Sequence, residues 1–164
     1  MVLKLCNSEI ILTLGISRTV TEFFKAAARK RKFQVIVAET APSYDGHKLA
    51  LELAKAGIDT TVITDAAIFA MMARVNKVII GTHAVLANGG LIARSGTHLV
   101  ASAAKYHATP VVVVTGLFKL APVYAFDQDT FNALASPAST LPFEDCKSLF
   151  ACDTTNKNFC SNLN

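Results

Sequence analysis

The chain has 164 residues, of which 52% are hydrophobic and 17% charged, and its formal net charge at pH 7 is +4. This length fits one domain with its own hydrophobic core, and the composition excludes a chain that is disordered over most of its length. The longest wholly apolar runs, 66–73 and 110–114, are far shorter than the roughly 20 residues that span a bilayer, so the sequence predicts no transmembrane helix.

Short apolar runs alternate with segments of helical periodicity over most of the chain. Residues 9–14 form a β-branched run that ends at Gly15, and the next segment, 17–31, carries apolar side chains at helical spacing. The same alternation then repeats. It predicts further strands at 33–39, 58–63, 77–80 and 110–115, further helices at 48–56, 65–73 and 97–107, and a loop at 83–95.

Several residues have the chemistry of helix starts. Thr19 and Glu22 have the spacing of a capping box, with Ser17 as an alternative N-cap. Thr64 or Asp65 is interpreted as the N-cap of the third helix, and Asp65 is the simpler choice because its carboxylate suits that position.

Five apolar strands that alternate with helices are typical of βαβ units with right-handed crossovers. The sequence therefore predicts an α/β fold with a doubly wound parallel sheet and helices on both faces. In such sheets ligands bind outside the carboxyl ends of the strands, near the point where the strand order reverses. The residues that follow the strands are therefore the candidates for chemistry.

The segment after the first strand, from Gly15 to Thr19, opens a helix with a hydroxyl, a guanidinium and free backbone N–H groups. Such an opening is able to bind a phosphate, although a capped helix after a tight turn explains the same residues and is the interpretation we favour. The sequence contains neither Gly-x-Gly-x-x-Gly nor Gly-x-x-x-x-Gly-Lys-Ser/Thr, so no dinucleotide site and no P-loop are predicted.

His83 follows the fourth strand, and an imidazole in that position has the chemistry of a general base. A hydrolytic triad also needs a nucleophile on a strained turn, and the sequence contains no Gly-x-Ser-x-Gly motif. We therefore interpret His83 as a loop histidine or a packing contact.

The histidines and acidic residues lack the local spacing of metal ligands, and we expect neither a metal nor a cofactor. The histidines are His47, His83, His98 and His107, and the acidic residues at strand ends are Glu39, Asp45 and Asp65. Glu39 is interpreted as a carboxylate that braces its loop, with a role as an acid as the alternative. The basic run 29–32 is interpreted as a solvated helix end, with an electrostatic contact to RNA or an acidic partner as the alternative.

The amino terminus does not resemble a secretory signal, because Lys4 and Glu9 interrupt its apolar stretch and no small-residue cleavage site follows. We therefore expect a cytosolic protein. The cysteines include no Cys-x-x-Cys pair and are interpreted as free thiols. They are Cys6, Cys146, Cys152 and Cys160.

Over residues 9–148 the sequence resembles the family that joins the regulatory subunits of translation initiation factor 2B to methylthioribose-phosphate and ribose-bisphosphate isomerases. The details are most similar to the beta-type subunits. The matching segments include 17–20 (SRTV), 27–33 (AARKRKF), 35–39 (VIVAE), 64–70 (TDAAIFA), 74–82 (RVNKVIIGT), 86–89 (LANG), 96–98 (GTH), 118–120 (FKL) and 141–143 (LPF). The resemblance implies the Rossmann-like carboxy-terminal domain of the family over 1–144, followed by a divergent, irregular tail over 145–164.

The positions that serve catalysis in the family's isomerases are substituted in this chain. Those enzymes use a cysteine after the first strand and an aspartate after the fourth, and the matching residues are Gly15 and His83. The family's phosphate-binding arginine falls at Ala41, and its Asn-Lys pair becomes Ala93 and Arg94. A glycine cannot act as a nucleophile or an acid, and a histidine cannot keep the charge of a carboxylate. The resemblance therefore implies a chain without catalytic residues.

The function implied by the resemblance is that of a regulatory, non-catalytic subunit, or a fragment of one, of the guanine nucleotide exchange factor for translation initiation factor 2. The implied partners are delta-type, alpha-type and gamma/epsilon-type subunits and initiation factor 2, with no membrane and no direct nucleic-acid contact. The alternative is an aldose-ketose isomerase of the methylthioribose-1-phosphate type. A third hypothesis is a regulatory site for a phosphorylated metabolite, with Ser17, Arg18, Asn88 and Gly89 as candidate ligands.

Two features of the family are missing from the sequence, namely its helical amino-terminal region and its Asn-Ile-Gly-Gly ending. We therefore expect a fragment, a splice form or a mispredicted gene product. A sheet without its usual neighbours exposes an apolar patch or a strand edge, and such surfaces promote association. We accordingly expect poor solubility or self-association of the chain when it is alone.

Overall fold

The computed structural model describes residues 8–125 together with Asp127, Ser136 and Thr140. The chain divides into two compact units, Met1–Phe131 and Asn132–Asn164, and the fold below is that of the first. The four cysteines and the tail predicted over 145–164 lie outside the described residues. The free thiols and the domain boundary at residue 144 therefore stay predictions.

Strands and helices alternate along the described chain, as the periodicity predicts. The elements are β1 (Ile10–Leu14), α1 (Arg18–Ala28), β2 (Gln34–Ala38), α2 (Asp45–Lys55), β3 (Asp59–Ile63), α3 (Ile68–Met72), β4 (Lys77–Ile80), β5 (Ala84–Val85), β6 (Leu91–Ile92), α4 (Thr97–Tyr106) and β7 (Val111–Val113). Short 3-10 turns precede α3 at Asp65–Ala67 and follow β7 at Leu117–Lys119. Among the described residues, no helix combines the length and apolar character needed to cross a membrane.

The main sheet has the strand order β3-β2-β1-β4-β7, and every neighbouring pair in it is parallel. In the registers, Ile11 lies opposite Val35 of β2, and Leu12 lies opposite Val78 of β4. Strands β2 and β3 are added on one side of β1, and strands β4 and β7 are added on its other side. The strand order therefore reverses between β1 and β4. The predicted doubly wound, Rossmann-like fold is therefore confirmed.

Two apolar layers lie on opposite faces of this sheet, because successive strand residues point to opposite sides. On one face Ile11 and Ile79 pack with Phe24 of α1, and helix α2 contributes to the same cluster. On the other face Leu12 packs with Met72 of α3, and helix α4 completes that layer. Both faces are therefore covered, which explains the high hydrophobic content of the chain.

Exposed apolar side chains are also present, as the composition predicts. Leu117 and Phe118, in the 3-10 turn after β7, are 86% and 85% exposed. This turn is anchored beside the β5–β6 ribbon, because the Ala121 N–H donates to the Val85 carbonyl oxygen at 2.8 Å. Leu117 and Phe118 therefore form an apolar patch that is held next to the carboxyl ends of the central strands.

Three local predictions are corrected by the structure. The capping box is wrong: Ser17 takes the N-cap position of α1 without a side-chain capping bond, and the Glu22 carboxylate instead accepts from Lys25 at 3.1 Å. The helix predicted at 65–73 consists of a 3-10 turn and the short α3. The loop predicted at 83–95 contains the antiparallel strands β5 and β6, whose two-residue length is too short to produce a recognisable periodicity.

Candidate functional site

A crevice of about 350 Å³ opens at the carboxyl ends of β1 and β4. This is the point of strand-order reversal, where ligands bind in doubly wound sheets. Its lining brings together Gly15, Ser17, Arg18 and His83, which are far apart in sequence. Gly81, which follows β4, allows the start of α1 to approach closely because it has no side chain. A Cβ at Gly81 would lie 2.7 Å from the Ser17 Oγ atom.

A second cavity, of about 590 Å³, lies at the opposite end of the sheet, near the amino ends of β1, β2 and β3. Its charged lining residues are Arg31, Lys32 and Asp59. Part of the basic run 29–32 therefore borders a depression of the surface. The strand-end crevice remains the better candidate for a ligand, because the fold concentrates helix starts and loops there.

Gly15 and Arg94 occupy the inner wall of the crevice together. Gly15 has φ +67°, a left-handed conformation that glycine adopts without strain, and its N–H donates to the Thr40 hydroxyl oxygen at 3.1 Å. A Cβ at Gly15 would lie 3.0 Å from the Arg94 Cδ atom. The Arg94 side chain therefore fills the space that any larger residue at position 15 would need.

The guanidinium of Arg94 forms an ion pair with the carboxylate of Asp45, the first residue of α2. Lys48 also pairs with this carboxylate, at 3.1 Å. The hydrogen bond from Arg94, followed by the one from Lys48, holds the pKa of the Asp45 carboxyl below its usual value, against the opposing effect of burial. The positive charge of Arg94 is thus matched from within the chain.

Asp65 braces the loop after β2, and its interpretation as a helix N-cap is wrong. Thr64 takes the N-cap position without a side-chain bond, while the Asp65 carboxylate accepts from the backbone N–H groups of Thr40 at 3.0 Å and Ala41 at 2.8 Å. Thr40 needs this support because its φ is +60°, which is unfavourable for a β-branched residue. The bracing role assigned to Glu39 therefore belongs to Asp65. Glu39 bonds through its backbone: its N–H donates to the Ile63 carbonyl oxygen at 2.9 Å, and its carbonyl oxygen accepts from the Gly46 N–H at 3.2 Å.

Replacing Asp65 with asparagine is expected to lower the free energy of unfolding by about 1–3 kcal/mol. The asparagine amide turns an NH2 group toward one of the two backbone N–H donors and leaves that donor without an acceptor. Urea denaturation followed by circular dichroism measures the difference. Asp59→Asn, on the exposed first position of β3, removes the same charge and is expected to change stability by less than about 0.5 kcal/mol. Equal stability of the two variants would contradict the bracing role.

His83 lies at the crevice with an exposed side chain. Its backbone N–H donates to the Ile92 carbonyl oxygen at 2.8 Å, which fixes the start of the β5–β6 ribbon. The neighbouring Thr82 hydroxyl lies 2.8 Å from the same oxygen, and the Thr82 carbonyl accepts from the Lys119 Nζ atom at 2.6 Å. Among the described residues, no hydrogen bond orients the His83 imidazole as a general base requires.

Asn88 and Gly89 lie in the turn between β5 and β6, away from the lining of the crevice. The Asn88 Oδ1 atom accepts from the Gly90 N–H at 2.9 Å, and Gly89 has φ +81°. Both residues have the usual properties of a tight turn. Of the four candidate anion ligands, the structure therefore brings Ser17 and Arg18 together at the crevice.

The sequence alone does not reveal the part that Asp45 plays in this site, and it identifies Arg94 only as a substituted position. The two residues are 49 positions apart, and no motif relates them. Among residues 8–125 and the three further described positions, no three histidine, cysteine, aspartate or glutamate side chains converge on a common point. The expected absence of a metal remains a prediction for the whole chain.

Comparison with known proteins identifies relatives over most of the chain. The sequence model of the initiation factor 2 subunit family matches residues 2–159. Translation initiation factor eIF2B subunit beta of Dictyostelium discoideum is 67% identical over 143 residues, which are 87% of this chain and 37% of that protein. The Schizosaccharomyces pombe subunit beta is 57% identical over 141 residues, or 85% of this chain and 36% of that protein. The chain thus spans about a third of the length of these relatives.

Solved structures share the fold. In the crystal structure of the tetrameric eIF2B-beta2-delta2 complex from Chaetomium thermophilum, one chain matches with a TM-score of 0.67 and 35% sequence identity. The match covers 74% of the present chain and 41% of the other. Similarity of this extent in both sequence and structure identifies a common family.

Proposed function

The chain belongs to the initiation factor 2 subunit family, and we propose that it is a regulatory, non-catalytic subunit, or part of one, of the guanine nucleotide exchange factor for translation initiation factor 2. The observation that carries the proposal is the 67% identity to a subunit named beta, over 87% of the chain. We propose a cytosolic location for the same reason, since translation initiation takes place there.

The chemistry of the crevice supports a non-catalytic role. Gly15 has no side chain that could act as a nucleophile or acid. His83 is exposed, and the inner cation, Arg94, is already paired with Asp45. An aldose-ketose isomerase needs a positioned acid and base at the reacting carbon atoms, and these residues do not supply them.

The partner we propose first is a delta-type subunit, with alpha-type and gamma/epsilon-type subunits and initiation factor 2 as partners of the larger assembly. Support comes from the Chaetomium thermophilum structure, whose name describes beta and delta subunits in one tetramer. Leu117 and Phe118 form the most exposed apolar pair in the described part of the chain, and apolar surface of this kind marks partner sites. We propose that a delta-type subunit covers this pair.

Co-expression of the chain with a delta-type subunit of the same organism tests the proposal. The two proteins are expected to co-purify through a tag on either one. The double variant Leu117→Ser/Phe118→Ser is expected to weaken the complex at least about tenfold, because each lost apolar contact contributes about 1.5–3 kcal/mol. Leu51→Ser is the matched control, since Leu51 on α2 is also exposed, at 63%. Equal complex formation by both variants would exclude the proposed surface, and the absence of any complex would contradict the proposed function.

The isomerase alternative is tested on the same preparation. Incubation of the purified chain with methylthioribose 1-phosphate and ribose 1,5-bisphosphate is expected to yield no ketose product. Turnover that disappears in His83→Ala would establish the enzyme and overturn the regulatory proposal.

A further inference from the structure

Three cationic side chains meet at the strand-end crevice, and two of them are engaged within the chain. Arg94 pairs with Asp45, and the Lys119 Nζ atom donates to the Thr82 carbonyl oxygen. Arg18 is exposed at the first position of α1, and its guanidinium has no hydrogen-bond or ion-pair partner among the described residues. The rim of the crevice thus has an available cation, whereas its inner cation is neutralised.

The position of the Asp45 carboxylate is fixed by the backbone around it. The preceding residue, Tyr44, has φ +51°, and the following residue, Gly46, lies so close to β2 that a Cβ would be 2.9 Å from the Glu39 Cα atom. Lys48, one helical turn further along, holds the carboxylate from the other side at 3.1 Å. The carboxylate is therefore held in place beside Arg94, whose side chain lines the crevice.

Arg94 is equally constrained. Its side chain passes Gly15 so closely that a Cβ at position 15 would lie 3.0 Å from the Arg94 Cδ atom and 3.6 Å from the Nε atom. Its carbonyl oxygen accepts from the Thr97 N–H at 3.1 Å, which anchors the residue to the start of α4. The ion pair therefore joins two fixed backbone segments, the start of α2 and the start of α4.

We propose that Asp45 is a built-in counter-ion that keeps phosphate groups out of the crevice by occupying the guanidinium of Arg94. A phosphate oxygen and the Asp45 carboxylate compete for the same N–H donors, and the carboxylate has the advantage of being covalently attached and in place. Once Asp45 loses its charge, the guanidinium faces a cavity whose rim carries the Ser17 hydroxyl and Arg18. The inference concerns this chain alone and does not depend on its assembly with other subunits.

Isothermal titration calorimetry with inorganic phosphate tests the proposal on the full chain. Asp45→Asn keeps the size of the side chain and is expected to bind phosphate at least about tenfold more tightly than the unmodified chain, as expected for one freed charge-assisted contact. Asp59→Asn changes the net charge by the same amount at a distant, exposed position and is expected to leave the affinity unchanged. The double variant Asp45→Asn/Arg94→Gln is expected to return to the weak binding of the unmodified chain.

A second measurement keeps the test decisive should Asp45→Asn not fold. Asp45→Ser also removes the carboxylate and is expected to tighten phosphate binding by a similar factor, because it frees the Arg94 guanidinium in the same way. A folded Asp45→Ser variant that binds phosphate no more tightly than the unmodified chain would overturn the proposal. Equal affinity of folded Asp45→Asn and the unmodified chain would overturn it as well.

Discussion

Replacing Phe24 with alanine is expected to lower the free energy of unfolding by about 3–5 kcal/mol. Phe24 is fully buried at 0% exposure, between α1 and the sheet. Its ring lies 5.9 Å, centroid to centroid, from the rings of both Phe23 and Phe33. Truncation removes the buried apolar surface and leaves a cavity among side chains that are fixed by the sheet. The loss is a large share of the roughly 5–15 kcal/mol that stabilises a typical domain.

Denaturation in guanidinium chloride, followed by circular dichroism, measures this loss of unfolding free energy. The matched control is Phe69→Ala, because the Phe69 side chain on α3 is 50% exposed. It is expected to cost less than about 1.5 kcal/mol, since about half of the apolar area is involved. Similar losses in the two variants would contradict the assignment of Phe24 to the core.

Gly46→Ala is expected to destabilise the fold by about 3 kcal/mol, at the upper end of the range for overpacking. A Cβ at this position would overlap the Ala38 carbonyl oxygen and lie 2.9 Å from both the Ala38 carbonyl carbon and the Glu39 Cα atom. All of these are backbone atoms of the β2 end, so no side-chain rotation relieves the overlap. The start of α2 must move away from the sheet, and Asp45 moves with it.

Thermal unfolding of Gly46→Ala measures the effect, with Gly90→Ala as control. A Cβ at Gly90 would lie 2.9 Å from the Asn88 side-chain oxygen, which is able to rotate away. We expect a change below about 1 kcal/mol for Gly90→Ala. An unchanged stability of Gly46→Ala would show that α2 does not approach β2 as closely as the structure has it.

Much of the fold follows from local sequence patterns. Strands β1, β2 and β4 are mostly buried apolar runs, whereas the edge strands β3 and β7 are more exposed. Strand β4 has the predicted bounds, because Gly81 ends its apolar run. The β5–β6 ribbon could not be predicted in the same way, because a strand of two residues is too short to show an alternation of apolar and polar side chains. Its Asn88-Gly89 turn is the one local signal that could have indicated it.

The candidate site was only partly predictable. The topology alone places Gly15 and His83 at one crevice, because both follow strands next to the reversal of strand order. The partners of the side chains depend on distant segments: Asp65 bonds to backbone groups 25 and 24 residues before it. Asp45 and Arg94 likewise belong to different loops. Such contacts form only when the strands assemble into the sheet, so residue spacing within the sequence does not predict them.

Sedimentation equilibrium of the chain together with a delta-type subunit tests the regulatory assignment most directly. We predict a species whose mass contains both proteins, in place of a free 17.5 kDa chain, and no ketose product when sugar phosphates are added. A stable 17.5 kDa monomer that stays apart from the delta-type subunit would contradict the assignment.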